Sequence, residues 1–575
     1  MKIDLLLKFL IFSLFIYIIT TSLIIKDLPE HDEIVYIDQA KGIDNFGVPL
    51  TYMSEPIGYS FFLPHPPLYP YLLFLNSLLF NDFLLSLKIF NILCLFLTIY
   101  FSYLIIKELQ KKNTTQISLL FISLFLINTV VIRKSLLIKV DTSILTLLLT
   151  IFIYFLIKQY KLKNAKSTPL FFFFTILFAL CLWAKFATSI ILLFTVLLFL
   201  LLKKKYSFFI FYFFIGLTGS LLFLLTWYIY SSYIGASFTE PFWATFLNRV
   251  SVNPPSFKII IKHLFFFPYY LLWFSPPFFI LLFFATFDRI KKFFISKKLF
   301  LIDFLVMYIL ITLFSYLIHS PDIYYIFAIV PISFIIISHY LIQNNIIYHI
   351  SKHKTYYISF FFFFFLYYSF IPDLLRLIPN LLPINDSTNY ILMLIIVYIF
   401  PVLLFMSIAL FSKNIIKYLI IFSLLFMLSM NVSLDLKQAF ADYSTGNFYG
   451  EKGYQQAFNY INKYTSSDDI IISPGDFADL LNRKYYSVDL LTKYNLCGDD
   501  NSIKGIKDSS CDFGVYDFSY NLTEVITKHN IPYIVYSDYL KEMQGGFSEE
   551  SQEIINKYYM LDKQFGNFYI YKIKI

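Results

Sequence analysis

Residues 163–205 read KNAKSTPLFFFFTILFALCLWAKFATSIILLFTVLLFLLLKKK. Lysines close both ends, apolar runs fill 168–183 and 186–202, and one cation, Lys185, interrupts them. Apolar runs near the length needed to cross a bilayer form helices there, because lipid cannot satisfy an open backbone. Clustered lysines mark the cytoplasmic ends of such helices. The stretch therefore predicts a membrane hairpin with both ends in the cytoplasm and Lys185 near the outer face.

The pattern repeats along the chain. Of 575 residues, 58% are hydrophobic and only 14% charged, and mean hydropathy is +0.68. A soluble domain carries roughly 25% charge, so this composition excludes a soluble multidomain enzyme and a disordered chain. We read about 13 spans of membrane-crossing character, near 5–25, 83–106, 115–131, 140–157, 168–183, 186–202, 207–230, 264–287, 299–318, 323–342, 356–371, 389–411 and 415–431. The net charge of +9 does not point to nucleic acid, because its lysines sit in short loops. Lys107, Lys111 and Lys112, then Lys158 to Lys166, then Lys203 to Lys205, then Arg289 to Lys298 fall on alternate loops. The opposite loops hold acids such as Asp27, Asp32, Glu33, Asp38, Asp141 and Glu240. That charge alternation places the N-terminus in the cytoplasm and, with an odd number of spans, the C-terminal part outside. The abundance of Phe (71) and Tyr (47) and the run Phe360 to Phe365 are read as filling of lipid-facing positions.

From about Lys437 the composition becomes that of a soluble domain. Asp469 to Ser473, Pro532 to Ser537 and Asn567 to Ile575 read as strands, and Gly453 to Tyr464 and Asn521 to Asn530 as helices. The fold class expected is an all-α polytopic membrane protein, residues 1–436, followed by a small α/β soluble domain, residues 437–575. Cys94 and Cys181 lie in apolar runs as packing residues, while Cys497 and Cys511 could form a disulfide in an oxidising compartment. The first external loop, Lys26 to Tyr71, contains a surface helix over Glu33 to Phe46. A second short helix is expected within Pro66 to Phe80.

Four clusters on the outer side could carry chemistry. Asp32 and Glu33 offer a general base or a cation site, or a plain solvated acidic loop. His65, fixed by Pro66 and Pro67, suits a phosphate or simply caps a helix. Arg133, with Lys134, Lys139 and Asp141, places positive charge where it is otherwise sparse, and Arg suits phosphate. Asp141 at a helix start is also favoured by the macrodipole alone. Lys185 is either functional or snorkelling to the interface. Carboxylates and cations together at one membrane face fit chemistry on a lipid-linked phosphate. A lipid or glycan transporter is the alternative; it would carry inverted repeats and mid-membrane charge, and neither is read here. P-loop, dinucleotide-binding, H-E-x-x-H and G-x-S-x-G motifs are absent from the sequence.

The ordered motifs DE at 32–33, HPPLYPYLL at 65–73, RKSLLIKVDTSILTLLL at 133–149 and LWAKFATSIILL at 182–193 resemble those of the GT-C membrane glycosyltransferases. The nearest group is the superfamily of dolichyl-phosphate-mannose protein mannosyltransferases and lipid A aminoarabinose transferases. HSPDIYYIFAIVP at 319–331 is similar to a later Tyr-rich segment of that family. The resemblance implies inverting transfer from a polyprenyl-phosphate sugar to a lipid, glycan or protein acceptor outside the cytoplasm. By position it makes Asp32 the general base, with Glu33 in support. It puts His65, Arg133 and Lys185 around the donor phosphate, and Asp141, Tyr69 and Tyr324 near substrate. No metal is required by that scheme, and none is excluded by it. Pro64-His65 stands where the aminoarabinose transferases have Glu-Lys, which leaves the donor sugar open.

Overall fold

The computed structural model describes residues 3–24, 31–54, 58–61, 63, 65–80, 82–110, 112–162, 168–239, 276–319, 327–353, 357–366, 415–445, 453–466, 468–474, 477, 481, 483–487, 522–537 and 549–574. Among these, helices predominate. α1 (Ile3–Ile24), α4 (Phe83–Leu109) and α10 (Tyr206–Ile234) are long apolar rods. α5 (Thr114–Leu126), α7 (Thr146–Leu162), α8 (Thr168–Ala184) and α9 (Phe186–Leu202) are shorter. Five helices are long and apolar enough to cross a membrane among the described residues, with shorter apolar helices beside them. Further helices run over Pro276–Ser296, Leu301–His319, Val330–Gln343 and Ile415–Thr445.

Most expected spans find a helix in place. The one expected at 115–131 divides into α5 and the short α6 (Thr129–Lys134), because Asn128 caps a new helix by accepting from Val130 N–H at 3.1 Å. The one expected at 264–287 corresponds in its described part to a helix that begins at Pro276 and runs on to Ser296. The span expected at 389–411 lies outside the described residues.

One apolar core threads the bundle, with α1 against α5, α4 against α7, and α8 against α10. The outer surface is also apolar: Ile176, Phe194, Leu221 and Leu225 are each more than half exposed. So large an uncovered apolar surface is stable only in lipid. Phenylalanine serves both environments, since Phe362 and Phe363 are exposed while Phe121, Phe152, Phe174 and Phe178 are fully buried.

Between α1 and α4 the chain builds a small external layer. α2 (His31–Phe46) matches the expected surface helix, and α3 (Leu68–Ser77) the second short one. Between them lies an antiparallel hairpin that sequence reading left as loop: β1 (Leu50–Ser54) pairs with β2 (Gly58–Phe61), Leu50 opposite Phe61. α2 and β1 approach so closely that a Cβ on Gly42 would sit 2.1 Å from Leu50 O.

The C-terminal residues form a five-stranded mixed sheet of order β4-β3-β5-β7-β6. Its strands are β3 (Ile470–Ser473), β4 (Lys484–Ser487), β5 (Tyr533–Ser537), β6 (Tyr559–Phe565) and β7 (Phe568–Ile573). β3 lies parallel to β4 and β5, and β7 antiparallel to β5 and β6. Sequence reading reached β3, β5 and β7 but not β4 or β6. The β6 stretch YMLDKQF is mostly exposed and carries no clean apolar alternation. The sheet meets the external layer directly: Ile34 of α2 is buried in the same cluster as Ala457, Ile471 and Tyr533, and Tyr52 of β1 stands edge-on to Tyr485 at 5.7 Å.

Candidate active site

Lys185 sits at a break. α8 ends at Ala184, α9 starts at Phe186, and Lys185 between them is extended, with φ −165° and ψ 116°. Its amide still bonds Cys181 O at 2.9 Å and its carbonyl accepts from Ser189 Oγ at 2.8 Å, so the break is short. The side chain points inward and is 2% exposed. It does not snorkel. Nζ donates to both oxygens of Asp141, at 2.8 and 2.7 Å. A bidentate pair this deep holds two segments 44 residues apart in sequence.

Asp141 opens a π-helical turn, Asp141–Leu145, before α7. Side-chain hydroxyls stabilise the local widening: Ser143 Oγ donates to Lys139 O at 2.7 Å, and Thr146 Oγ1 to Asp141 O at 2.6 Å. Such turns recur at functional sites because they re-aim one side chain out of register. Every residue of this turn is buried.

The peptide just before it is clamped from two sides. Ile138 N–H donates to Glu33 Oε1 at 2.5 Å. The carbonyl of the same peptide, Leu137 O, accepts from Asn91 Nδ2 at 2.6 Å. Asn91 Oδ1 accepts in turn from Tyr69 Oη at 2.8 Å. Tyr69 is 1% exposed, and Tyr36 of α2 stands edge-on to it at 5.1 Å. Thus α2, α3, α4, the 135–141 segment and the α8–α9 break meet at one end of the bundle.

The structure brings together Glu33, Tyr69, Asp141 and Lys185, four residues that sequence reading took from four separate segments. It pairs Lys185 with Asp141, which had been assigned to donor phosphate and to substrate separately. Asp32 lies in the first turn of α2, one residue before Glu33. His65 is half-buried between buried Leu63 and Pro66, immediately ahead of α3. Arg133 lies in α6, whose C-terminal end leads into the clamped peptide. Tyr324, Cys497 and Cys511 lie outside the described residues. Cys94 and Cys181 are buried free thiols.

Sequence reading missed Asn91 and two further buried polar groups at this end, Lys88 and Gln39. Lys88 had a signal: it is a lone cation inside an apolar span, the same cue that singled out Lys185. Asn91 had none, since one Asn in a membrane helix is commonplace. Among the described residues no three His, Cys, Asp or Glu side chains gather as metal ligands would.

Residues 64–230 match the family model of dolichyl-phosphate-mannose-protein mannosyltransferase. ArnT from Cupriavidus metallidurans bound to undecaprenyl phosphate has the same fold, with a TM-score of 0.62 at 12% identity over 99% of this chain and 98% of that one. Its apo state gives 0.57 at 11% identity, over 99% of this chain and 97% of that one. The oligosaccharyltransferase of Archaeoglobus fulgidus in its apo form is more loosely similar, with a TM-score of 0.45 at 12% identity over 95% of this chain and 72% of that one. Comparison with curated proteins by sequence gives no match. The chain has the fold of a polytopic membrane transferase over its length, and its segment 64–230 is similar to a mannosyltransferase family. The matched segment and the shared fold are thus similar to the group that the ordered motifs resemble, the GT-C membrane glycosyltransferases.

Proposed function

We propose that the protein transfers a sugar, with inversion, from a polyprenyl-phosphate donor to an acceptor hydroxyl on the non-cytoplasmic side. The observation that carries the proposal is the clamp. Glu33, next to Asp32, is tied to the peptide three residues before Asp141, and Asp141 is tied to Lys185. The helix start that carries Asp32 and Glu33 is thereby held at the end of the bundle where Asp141 and Lys185 meet, and such fixed placement is what displacement of a phosphate leaving group needs.

In this reading Asp32 takes the acceptor proton as the hydroxyl oxygen bonds to the anomeric carbon. The bond from that carbon to the phosphate oxygen breaks on the opposite face, and the electron pair leaves on polyprenyl phosphate. His65 and Arg133 hold the leaving phosphate, with Tyr324 near substrate. Glu33 orients α2 through Ile138 N–H and so sets the position of Asp32. Tyr69 is buried and committed to Asn91, so it acts as a wall of the site. Lys185 and Asp141 neutralise one another and position the π turn; Lys185 contributes field to the phosphate rather than a full contact. Residues 1–436 form the membrane domain with about 13 spans, and residues 437–575 an outer α/β domain that covers α2. The N-terminus is cytoplasmic, following the lysine distribution.

The test is transfer in proteoliposomes from a labelled polyprenyl-phosphate sugar. Asp32→Asn should lower transfer by about 10²–10⁴-fold, the usual contribution of a general base. Wild-type turnover that survives the substitution removes Asp32 from its role. A wild-type protein that consumes none of a panel of such donors removes the reaction itself.

A further inference from the structure

Three helices that lead away from the candidate site end together elsewhere. From Asn91 to the end of α4, from Asp141 to the end of α7 and from Lys185 to the end of α9 are each about 25–32 Å at 1.5 Å per residue. Their last residues, with Arg289 and His339 from two other helices, line a cavity of about 460 Å³. It therefore opens at the far end of the bundle, where the lysine-rich loops lie. Its walls are Leu109, Leu299, Phe300 and Leu301. The volume is that of a small-molecule site.

The charges around this cavity do not cancel. Lys161 is paired with Glu108 at 3.2 Å. Arg289 donates Nε and Nη2 to Asp303 Oδ1 at 3.0 and 2.8 Å. Asp303 Oδ2 accepts from Phe300 N–H at 2.6 Å, so this carboxylate is occupied on both oxygens. Lys203 also lines the cavity but makes no ion pair among the described residues. Burial pulls its ammonium below the usual lysine range, Asp303 opposes that pull, and Lys205 adds to it. Helix C-termini attract lysines by their dipole, and cytoplasmic loops are rich in them. Those two effects account for Lys204 and Lys205, which are exposed. They do not account for a half-buried Lys203 turned onto an apolar-walled cavity beside Arg289.

We infer that this cavity binds a phosphate group, held by Lys203 with Arg289 and Lys161 at its flanks, on the membrane face opposite the transfer site. Gln110 and His339, in contact with one another, supply polar groups at its floor. The phosphate belongs either to an anionic lipid head group or to a soluble phosphate ester. The apolar walls suit an adjoining acyl chain or ester substituent equally.

The experiment uses the full chain in nanodiscs and two probes, phosphatidylglycerol and glycerol 3-phosphate, with phosphatidylcholine as reference. Native mass spectrometry reads lipid retention, and thermal shift reads glycerol 3-phosphate. We expect retention of phosphatidylglycerol above phosphatidylcholine, or stabilisation by glycerol 3-phosphate, lowered at least about tenfold in apparent affinity by Lys203→Ala, the worth of one charge-assisted bond. Lys203→Arg should restore it. Preference for the lipid identifies a head group, and preference for the ester a soluble ligand; either supports the site. If Lys203→Ala fails to fold, Lys203→Gln takes its place. Equal retention of both lipids together with no response to the ester overturns the inference. So does binding that Lys203→Ala and Lys203→Gln leave unchanged. Sugar transfer at the other face should be the same in these variants.

Discussion

Lys185→Met tests whether the buried pair positions the site or binds the donor. The methionine fills the same volume but leaves Asp141 buried and charged with its cation gone. Removing one partner of a buried pair costs about 3–5 kcal/mol, because the other keeps its desolvation penalty. The geometry puts this pair at the upper part of that range: two contacts of 2.7 and 2.8 Å, with side chains 2% and 9% exposed. Lys185→Met/Asp141→Leu removes both charges, and replacing a buried pair by apolar groups is near neutral or stabilising by about 1–4 kcal/mol. The double variant should therefore recover most of the loss, with a coupling of about 3 kcal/mol or more, far beyond the additivity expected of independent sites. Trp183, two residues from Lys185 and 5.7 Å from Trp227, gives a fluorescence signal for unfolding in detergent. A donor-binding lysine gives a different outcome. Lys185→Met would then keep its stability and raise KM for the donor, and the double variant would not repair it. That result would refute the positioning role.

Three other perturbations follow from the same geometry. Glu33→Ala strips the acceptor from Ile138 N–H, and an unsatisfied buried donor costs about 1–3 kcal/mol; Glu33→Gln keeps an acceptor oxygen and should cost less, as read by the same fluorescence unfolding. Gly42→Ala drives a methyl to 2.1 Å from Leu50 O, a clash with backbone that cannot rotate away; α2 must separate from β1, at a cost of about 1–3 kcal/mol, seen as faster proteolysis within 31–61. Tyr460 donates to Asp562 Oδ2 at 2.5 Å, and burial first, then Asp562, raise its pKa. The folded state thus favours the neutral phenol, so its contribution is complete below about pH 10 and is lost as pH rises beyond it. Circular dichroism of Tyr460→Phe should show a weaker alkaline loss of strand signal than wild type.

What could be read from the chain, and what could not, divides along a physical line. The spans were legible because lipid imposes one requirement, an apolar stretch of fixed length, on each segment separately. Lys185 was legible for the same reason, as the single violation inside such a stretch. Its partner was not, because the Lys185–Asp141 contact joins positions far apart in sequence, and Asp141 alone has a sufficient local reason to start a helix. The clamp on the 137–138 peptide was less legible still. It uses Asn91, Glu33 and a backbone carbonyl, none of which departs from what its own segment allows. The hairpin β1–β2 was missed because LTYMS and GYSF are too short and too mixed to show a period. Yet Tyr52 of that hairpin, with Ile34 of α2, ties the C-terminal sheet to the helix that carries Asp32 and Glu33. Local constraints thus identify which residues are costly to bury, and only the assembled layers reveal which of them share that cost. In this molecule the sharing is the site: Glu33, Asn91, Asp141 and Lys185 are each fixed by a group from another segment.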